Sequence, residues 1–250
     1  MLQQIIGSSV IHLDETNSTN QFTIQFLKEN RPAEGTVFIA DNQTQGRGMD
    51  TNAWESEPGK NLTFSILLYP DFLPVERQFS LNQAIALGLS EFVRKKVIPG
   101  TVTVKWPNDI YINDKKVCGT LIQNSIIGQA FDYVVVGIGL NVNQVHFKNL
   151  VPNPVSLQNT TGLLYDLRKL LTELCTLLDI RYQQLKSGGS GSINTHYLSN
   201  LYRYNQWYRY SINGSEHEAR ITGISEYGQL LLENREGRCW VCDVKDVKYL

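Results

Sequence analysis

The sequence predicts a mixed α and β main domain followed by a small antiparallel β-barrel. Strand-like and helix-like stretches alternate over the first two thirds of the chain, which is typical of a mixed fold rather than a helical bundle or a sandwich. From about Trp207 the pattern changes to short strands separated by the turn pairs Asn213-Gly214, Tyr227-Gly228 and Glu236-Gly237. We therefore expect a main domain over residues 1–206 and a barrel over residues 207–250. So short a barrel must pack on the main domain to bury its apolar side.

The elements of the main domain follow from hydrophobic periodicity. A strand is expected to begin near Val10, and 62–68 forms an apolar run typical of a buried strand. Apolar residues recur every three or four positions over 79–96, and a basic last turn precedes Pro99-Gly100. This stretch is therefore predicted to be an amphipathic helix that stops before the proline.

A β-hairpin and two further helices are predicted after this helix. Residues 102–106 alternate as a strand should, Asn113-Asp114 is a turn pair, 117–122 returns, and 133–138 is another apolar strand. Leucines from Leu163 to Leu185 predict a second long helix with a core-facing stripe. Residues 187–192 are predicted to form a flexible surface loop, and 193–204 a last helix.

Charge and cysteine content restrict the class of protein. The net charge is -1, with a pI near 6.4, so no excess of Lys and Arg provides the attraction that nucleic-acid binding needs. No apolar run is long enough for a membrane span, and no leader sequence is recognisable. The four cysteines are few and unevenly spaced, so we expect reduced thiols and a cytoplasmic location.

The first cluster with chemical meaning is Gly46-Arg47-Gly48, preceded by Gln43 and followed by Trp54. Glycines let the backbone approach a ligand closely, and the guanidinium supplies a permanent positive charge. Such a triplet also occurs in ordinary surface loops. Here it opens a long polar loop that lasts until the strand at Leu62, which favours a role in binding an anion.

The second cluster is the run Lys105-Trp106-Pro107-Asn108-Asp109. Proline directly after a strand fixes a turn, so Asn108 and Asp109 are candidates to face a phosphate or its metal. A plain strand-ending turn is the alternative. Beyond the hairpin turn, Lys116 precedes Gly119, and its ammonium could reach a cleft where glycine leaves room for a ring. By position alone, a solvated lysine is the simpler interpretation.

Gly137-Ile138-Gly139-Leu140-Asn141 ends the last apolar strand of this region. Two glycines at alternate positions expose a flat backbone face, and Asn141 adds a donor and an acceptor at the strand end. The third glycine of a dinucleotide-binding fingerprint is missing. The Cys239 and Cys242 pair has no second pair, and the histidines lack metal spacing, so no protein-built metal site is predicted.

Taken in order, these motifs resemble those of biotin protein ligases over roughly residues 8–160. The matching positions are Ser18-Thr19-Asn20, Gln43, Gly46-Arg47-Gly48, Trp54, Gly59, Asn61-Leu62, Lys105 to Asp109, Lys116, Gly119 and Gly137 to Asn141. The resemblance implies a class II synthetase-like catalytic domain with a mixed central sheet and an SH3-like barrel. It also implies ATP-dependent formation of biotinoyl-5'-AMP, followed by transfer to a lysine of a biotin carboxyl carrier protein.

The resemblance also assigns roles to residues. Lys116 and Arg47 are the expected catalytic residues, and magnesium is expected on the ATP phosphates with Asn108 and Asp109 as possible contacts. The biotin contacts are expected at Ser18, Thr19, Asn20, Gln43, Gly46, Arg47, Gly48, Met49, Lys116, Gly119 and Gly139. The ATP contacts are expected at Arg47, Trp54, Asn108, Asp109, Lys116 and Asn141.

Two positions depart from the family pattern. Met49 stands where many members carry a second arginine, and Asp50 and Thr51 follow where further basic residues are common. A thioether cannot hold a phosphate, so we expect weaker retention of the adenylate. Gln123 stands where glutamate is common, and no mechanism follows from it.

Three other functions remain open from the sequence. A lipoyl ligase of the same superfamily shares the chemistry, although the two motifs around Arg47 and Asn108 favour biotin. A biotin-sensing regulator of DNA is disfavoured, because no helix-turn-helix domain fits before the first strand, so we expect a ligase only. A binding module without chemistry is the third alternative. The free edge of the central sheet is a candidate surface for a homodimer.

Overall fold

The computed structural model describes residues 3–49, 53–148 and 153–250. A seven-stranded mixed sheet forms its centre, with strand order β1-β2-β3-β7-β6-β5-β4. The strands are β1 (Val10–Thr16), β2 (Val37–Gln43), β3 (Leu62–Leu68), β4 (Val102–Lys105), β5 (Asp109–Ile112), β6 (Lys115–Ile127) and β7 (Ala130–Leu140). Only the β1–β2 pair is parallel; the other described pairs in this sheet are antiparallel.

Helices cover both faces of this sheet. They are α1 (Thr19–Phe26), α2 (Gln78–Lys96), α3 (Leu157–Thr161), α4 (Leu167–Lys186) and α5 (Ser190–Ser199). On one face α2 and α4 pack together over the large core that contains Phe64 and Ile66. On the other face Phe22 and Phe26 of α1 pack against Phe38. Because both faces are covered, every residue of β3 is buried, which confirms the strand predicted over 62–68.

The last part of the chain forms a separate five-stranded antiparallel sheet with order β11-β10-β9-β8-β12. Its strands are β8 (Trp207–Ile212), β9 (Ser215–Ile224), β10 (Leu230–Asn234), β11 (Cys239–Cys242) and β12 (Val247–Tyr249). This sheet is consistent with the expected SH3-like barrel. Its buried side chains, such as Tyr210 and Leu230, belong to the same hydrophobic cluster as the main sheet, so it packs on the main domain.

The predicted helix over 79–96 and the hairpin with its turn at Asn113-Asp114 are confirmed. The helix predicted to start at Leu163 instead starts at Leu167, and Leu163 is exposed. Gly162 ends the preceding short helix in a left-handed conformation, and Asp166 caps α4 by accepting from the backbone N–H groups of Arg168 and Lys169. A cap, rather than the leucine stripe, therefore sets this boundary.

The expected surface loop over 187–192 is wrong in its second half, because α5 begins at Ser190 after a three-residue turn. The helix also ends at Ser199 rather than at Tyr204. The chain then lies along the edge of β4, where the Val104 N–H donates to the Asn200 carbonyl and the Tyr202 N–H to the Val104 carbonyl. Pairing with a sheet edge satisfies these backbone groups outside a helix.

Within the residues described, no helix combines the length and apolar character needed to cross a membrane.

Candidate active site

A cavity of about 300 Å³ opens over the central sheet, where α1 begins and where β2, β5, β6 and β7 contribute side chains. A loop after β2 closes over part of it. The cavity is lined by Ser18, Thr19, Asn20, Gln43, Arg47, Gly48, Met49, Ala53, Trp54, Lys105, Asp109, Tyr111, Lys116, Gly119, Thr120, Leu121, Gly137, Ile138 and Gly139. The structure thus brings most of the sequence-predicted site residues together.

The polar end of the cavity is built at the start of α1. Ser65 Oγ, from the fully buried β3, lies 2.7 Å from both Thr19 Oγ1 and Asn20 Oδ1. The backbone N–H of Thr19 donates to Gln43 Oε1 at 2.8 Å. These bonds fix the first turn of the helix against the sheet, so the polar groups keep one orientation towards the cavity.

Asn20 is held from its other side by β6. Its Nδ2 donates to the carbonyl of Leu121 at 3.0 Å and to Gln123 Oε1 at 2.9 Å. A Cβ on Gly137 would lie 2.3 Å from Asn20 Oδ1, so this strand position requires glycine. Sequence reasoning gave Gln123 no mechanism; the structure shows that it anchors Asn20.

The loop that carries Arg47 folds back across the cavity mouth. Arg47 and Ala53 form an isolated antiparallel bridge, and the Trp54 N–H donates to the Gly46 carbonyl at 2.9 Å. The Trp54 indole lies directly on Gly139, where an added Cβ would be 2.3 Å from Cε2 of the ring. Gly139 therefore leaves room for the Trp54 ring, which lies on the strand face that we expected to receive a ligand. Asp50, Thr51 and Asn52 lie outside the described residues.

Arg47 lies at the solvent-exposed rim of the cavity. The side-chain amide of Gln21 lies 3.1 Å from Nη1 and Nη2 of the guanidinium, and its oxygen accepts both bonds when it is turned towards Arg47. The guanidinium is thus held by a neutral amide, which leaves it able to bind an anion.

Lys116 and Asp109 form an ion pair in the cavity wall. Lys116 Nζ lies 2.8 Å from Asp109 Oδ1, and the exposed fractions of the two side chains are 20% and 22%. The alkyl end of Lys116 passes Gly119, where an added Cβ would lie 3.1 Å from both Cε and Nζ. The ammonium also lies 5.8 Å from the centre of the Trp54 ring. Lys116 is therefore a cavity residue and not a solvated hairpin lysine.

Lys105 is a cavity residue to which the sequence analysis assigned no role. Its Nζ donates to the Tyr111 hydroxyl at 3.2 Å. Burial lowers the pKa of Lys105, an effect that the nearby Asp109 carboxylate partly opposes. The alternation of side chains along β4 could have indicated this position from the sequence, because it places Lys105 on the strand face opposite to the buried Val104.

Asn108 is not brought into this cavity, contrary to expectation. Its Nδ2 donates to the Thr120 carbonyl at 2.7 Å, and its side chain lines a neighbouring groove that also contains Met49 and Trp106. Asn108 is the last residue of the turn over 106–108, whereas Asp109 begins β5, so the strand orients Asp109 into the cavity but does not orient Asn108. Its buried Oδ1 has no partner among the described residues.

Asn141 lines a small cleft beside the cavity, with Trp54, Glu55, Lys116, Phe147 and Pro154. Its Nδ2 donates to the Val155 carbonyl at 3.1 Å, while Oδ1 is buried without a partner in the described chain.

Gly46, a predicted biotin contact, does not line the cavity either. It supports the loop, because an added Cβ there would lie 2.5 Å from the Trp54 carbonyl oxygen.

The described residues place three potential metal ligands together at one point, and none of the three lines the cavity. His12, Asp14 and Asp41 lie exposed on β1 and β2. In the cavity itself, Asp109 is the carboxylate among the lining residues, and it is paired with Lys116.

Residues 13–141 match the family model described as the biotin/lipoate A/B protein ligase family. The bifunctional ligase/repressor BirA of Bacillus subtilis is 31% identical over 241 residues, which cover 94% of this chain and 72% of that protein. The biotin–acetyl-CoA-carboxylase ligase of Mycobacterium tuberculosis is 26% identical over 98% of this chain and 91% of its own length.

A solved structure gives the same result for the whole fold. The biotin protein ligase from Aquifex aeolicus in complex with biotin and ATP superposes with a TM-score of 0.80 and 27% identity, over 97% of this chain and 100% of that one. The mixed sheet, the helices and the second sheet are therefore shared with a ligase that holds both molecules. Together with the 31% identity over most of both chains, this match shows that the protein belongs to the biotin/lipoate A/B protein ligase family.

Proposed function

We propose that this protein is a biotin protein ligase, which activates biotin with ATP to biotinoyl-5'-AMP and passes the biotinoyl group to a lysine of a carrier protein. The observation that carries the proposal is the Lys116–Asp109 ion pair, which lies in the same cavity as the amide and hydroxyl groups of Thr19, Asn20 and Gln43. One end of the cavity suits a polar ring, and the other suits an anion.

The polar end matches the ureido ring of biotin, which has two N–H donors and a carbonyl acceptor. Ser18, Thr19 and Asn20 provide hydroxyl and amide groups of both kinds, and hydrogen bonds with Ser65 and Gln43 fix Thr19 and Asn20. Gly119 and Gly139 let Lys116 and Trp54 lie close against the sheet, so these two side chains border the part of the cavity in which the apolar chain would lie. The acid would therefore lie with its carboxylate at Lys116.

The nucleotide would bind beside Lys116, where Arg47, Trp54 and Asp109 line the cavity, with Asn141 next to Trp54 and Lys116 in the adjoining small cleft. A carboxylate oxygen of biotin attacks the α-phosphorus of ATP, the P–O bond to pyrophosphate breaks, and the acyl-adenylate forms. Two anions must meet in this step, so fixed cations and the exclusion of water lower its barrier. Lys116 and Arg47 supply the charge, and the Trp54 loop limits access of water.

The second step requires an acceptor amine to attack the acyl carbon and AMP to leave. No nucleophile of the enzyme is needed in either step. The relatives named as ligases of acetyl-CoA carboxylase support a carrier domain of such a carboxylase as the partner. The near-neutral charge gives no reason to expect nucleic acid as a partner.

Magnesium would enter with the phosphates of ATP. The lining residues fit a protein-built magnesium site poorly, because Asp109 is their one carboxylate and Lys116 occupies it. Arg47, Lys116 and Asp109 therefore bind and orient the charged groups of the substrates, with the ion counted as part of the nucleotide.

We also expect a cytoplasmic protein, because the described cysteines are free thiols. A homodimer is expected through β1, the outer strand of the sheet, which pairs with β2 alone among the described strands. Light scattering of the purified protein tests this: a mass of one chain excludes the dimer.

The test of function is a transfer assay. The protein is incubated with ATP, magnesium, a biotin carboxyl carrier domain and either biotin or lipoate, and the carrier is then weighed by mass spectrometry. We expect the mass of one biotin to be added and little reaction with lipoate. Preference for lipoate would identify a lipoyl ligase instead.

A matched pair of lysine variants completes the assay. Lys116→Ala should reduce biotinoyl-adenylate formation by about 100-fold or more, as is usual when a group that stabilises transition-state charge is removed. Lys115→Ala removes the exposed neighbouring lysine and should leave the rate unchanged. Wild-type protein that binds biotin but forms no adenylate would be a binding module, which contradicts the proposal.

A further inference from the structure

The ammonium of Lys105 is held in a box of two aromatic rings. Its Nζ donates to the Tyr111 hydroxyl at 3.2 Å, at the edge of that ring, and lies 4.6 Å from the centre of the Tyr249 ring, within the usual range of a cation–π contact. Tyr111 belongs to the main sheet, whereas Tyr249 belongs to β12, the last strand of the second sheet. One wall of the box is therefore supplied by the C-terminal barrel.

Tyr249 is fixed in this position by other rings. The Tyr210 ring packs on its edge at 5.3 Å between centres, and the Tyr202 ring lies 6.2 Å away. The Tyr249 hydroxyl is buried and has no partner among the described residues, so the contact uses the face of the ring and not its oxygen. A phenylalanine could do the same.

Lys105 faces the carboxylate that holds Lys116. Lys105 and Asp109 are directly paired across β4 and β5, and Asp109 forms the ion pair with Lys116 at 2.8 Å. Among the charges that act on Lys105, Asp109 raises its pKa, whereas Lys116 and Arg203 lower it. Asp109 is thus in direct contact with Lys116, while Lys105 acts on the same carboxylate electrostatically from the paired position on β4.

If Lys116 were the only cation near Asp109, their ion pair would oppose the movement of Lys116 towards the substrates. Lys116 must move towards the acid and the phosphate, and leaving a half-buried carboxylate without a cation is costly. A second cation that stays beside Asp109 reduces that cost. Lys105 can play this part because its box prevents it from following Lys116.

We propose that Lys105 is a positioning residue for activation of the acid: held by Tyr111 and Tyr249, it neutralises Asp109 and so releases Lys116 to the substrates. This inference rests on the proposed function. It makes the C-terminal barrel a contributor to the chemistry through Tyr249, although the barrel lines no part of the cavity itself.

The first test compares pyrophosphate exchange by the full-length variants. Lys105→Met should reduce kcat/KM for biotin by about tenfold, mainly through kcat, and Lys105→Arg should restore most of it. Tyr249→Leu should cause a loss in the same direction, whereas Tyr249→Phe keeps the ring face and should match the wild type. Lys248→Met, at the exposed neighbouring position, is the control. A merely structural role would lower thermal stability in parallel and would not be rescued by arginine.

The second test is a double-mutant cycle with Asp109→Asn. The readout is the affinity for a non-hydrolysable biotinoyl-adenylate analogue, measured by calorimetry, so that inactive variants still give values. If Lys105 acts through Asp109, Lys105→Met should weaken binding about tenfold in the wild type and hardly at all in Asp109→Asn. Equal losses in both backgrounds, or no loss in either, would overturn the proposal. A wild-type protein that makes no adenylate would instead contradict the proposed function.

Discussion

Gln123 illustrates how a single side chain fits an altered family position. Its Oε1 accepts one hydrogen bond from Asn20 Nδ2 at 2.9 Å, which an amide and a carboxylate can both do. The glutamine therefore retains the anchor of Asn20 while it removes one negative charge from the neighbourhood of the cavity. Charge at this position is not required to orient Asn20.

Met49 is the second altered residue, and its consequence is testable. It lines both the cavity and the neighbouring groove. The proposed function places the adenylate phosphate beside Arg47, within reach of an arginine at position 49. We expect Met49→Arg to slow the release of free biotinoyl-adenylate by about tenfold, because a charge-assisted bond to phosphate replaces a thioether contact. Release is measured by filtration of the preformed complex.

Two variants are the matched controls. Met49→Lys adds a positive charge without the two-pronged guanidinium, and Met49→Leu adds neither. Unchanged release from the arginine variant would refute the idea.

At the residue scale, Lys116 and Lys105 show where sequence reasoning stops. Lys116 was identified through its place in an ordered set of motifs, while position alone favoured a solvated side chain. Lys105 stands in one of those motifs, yet its partners Tyr111 and Tyr249 are 6 and 144 positions away. Aromatic contacts between distant segments leave no periodic signal.

At the scale of elements, β3 connects the core to the site. All seven of its residues are buried, and Ser65 on this strand bonds to both Thr19 and Asn20 at the start of α1. We expect Ser65→Ala to lower the free energy of unfolding by about 1–3 kcal/mol, because buried partners lose a bond. It should also raise KM for biotin, since the first turn of α1 is no longer fixed.

Thr63→Val provides the comparison for Ser65→Ala. Thr63 Oγ1 donates to the Ala40 carbonyl within the same sheet and does not line the cavity. This variant should cost similar stability, measured by urea denaturation, without a change in KM. Equal KM effects in both variants would mean that loss of stability alone accounts for them.

The elements differ in how well the sequence predicted them. Long periodic stretches such as α2 and β3 were predicted almost to the residue. The starts of α4 and α5 were not, because a cap at Asp166 and a turn at 187–189 set them. Helix α1 was not predicted at all: its buried residues are the polar Thr19, Asn20 and Thr23, which serve the site rather than a hydrophobic stripe.

At the scale of the whole molecule, the two sheets were predictable and their contact was not. The turn pairs that end in glycine predict the short strands of the second sheet. Gly214, Gly228 and Gly237 adopt positive φ in the structure, as such turns require. The indole N–H of Trp106 donates to the Gly228 carbonyl at 2.8 Å, which ties a site motif of the main domain to a turn of the barrel. No pattern in either segment predicts such a bond.

The large shared core makes the stability of the whole molecule depend on pH in the alkaline range. Burial, with a smaller effect of Asp179, raises the pKa of the Cys175 thiol to about 12. Burial also raises the pKa of Cys118 and of Tyr182. Between about pH 9 and pH 12 the unfolded chain loses the Cys175 proton while the folded protein keeps it. The free energy of unfolding should therefore be unaffected by this thiol below about pH 8 and fall as pH rises above 9.

Urea denaturation at pH 8, 9, 10 and 11 measures this dependence. A buried thiol that keeps its proton only in the folded state lowers the free energy of unfolding by about 1.4 kcal/mol per pH unit. Cys175→Ala should reduce this slope by up to that amount. It should also lower the free energy of unfolding at pH 8, because packing is lost. Cys239→Ala, which removes an exposed thiol of the barrel, is the matched control. The same slope in Cys175→Ala as in the wild type would show that Cys175 ionises equally in both states, which a thiol packed against Gly7 in the core should not do.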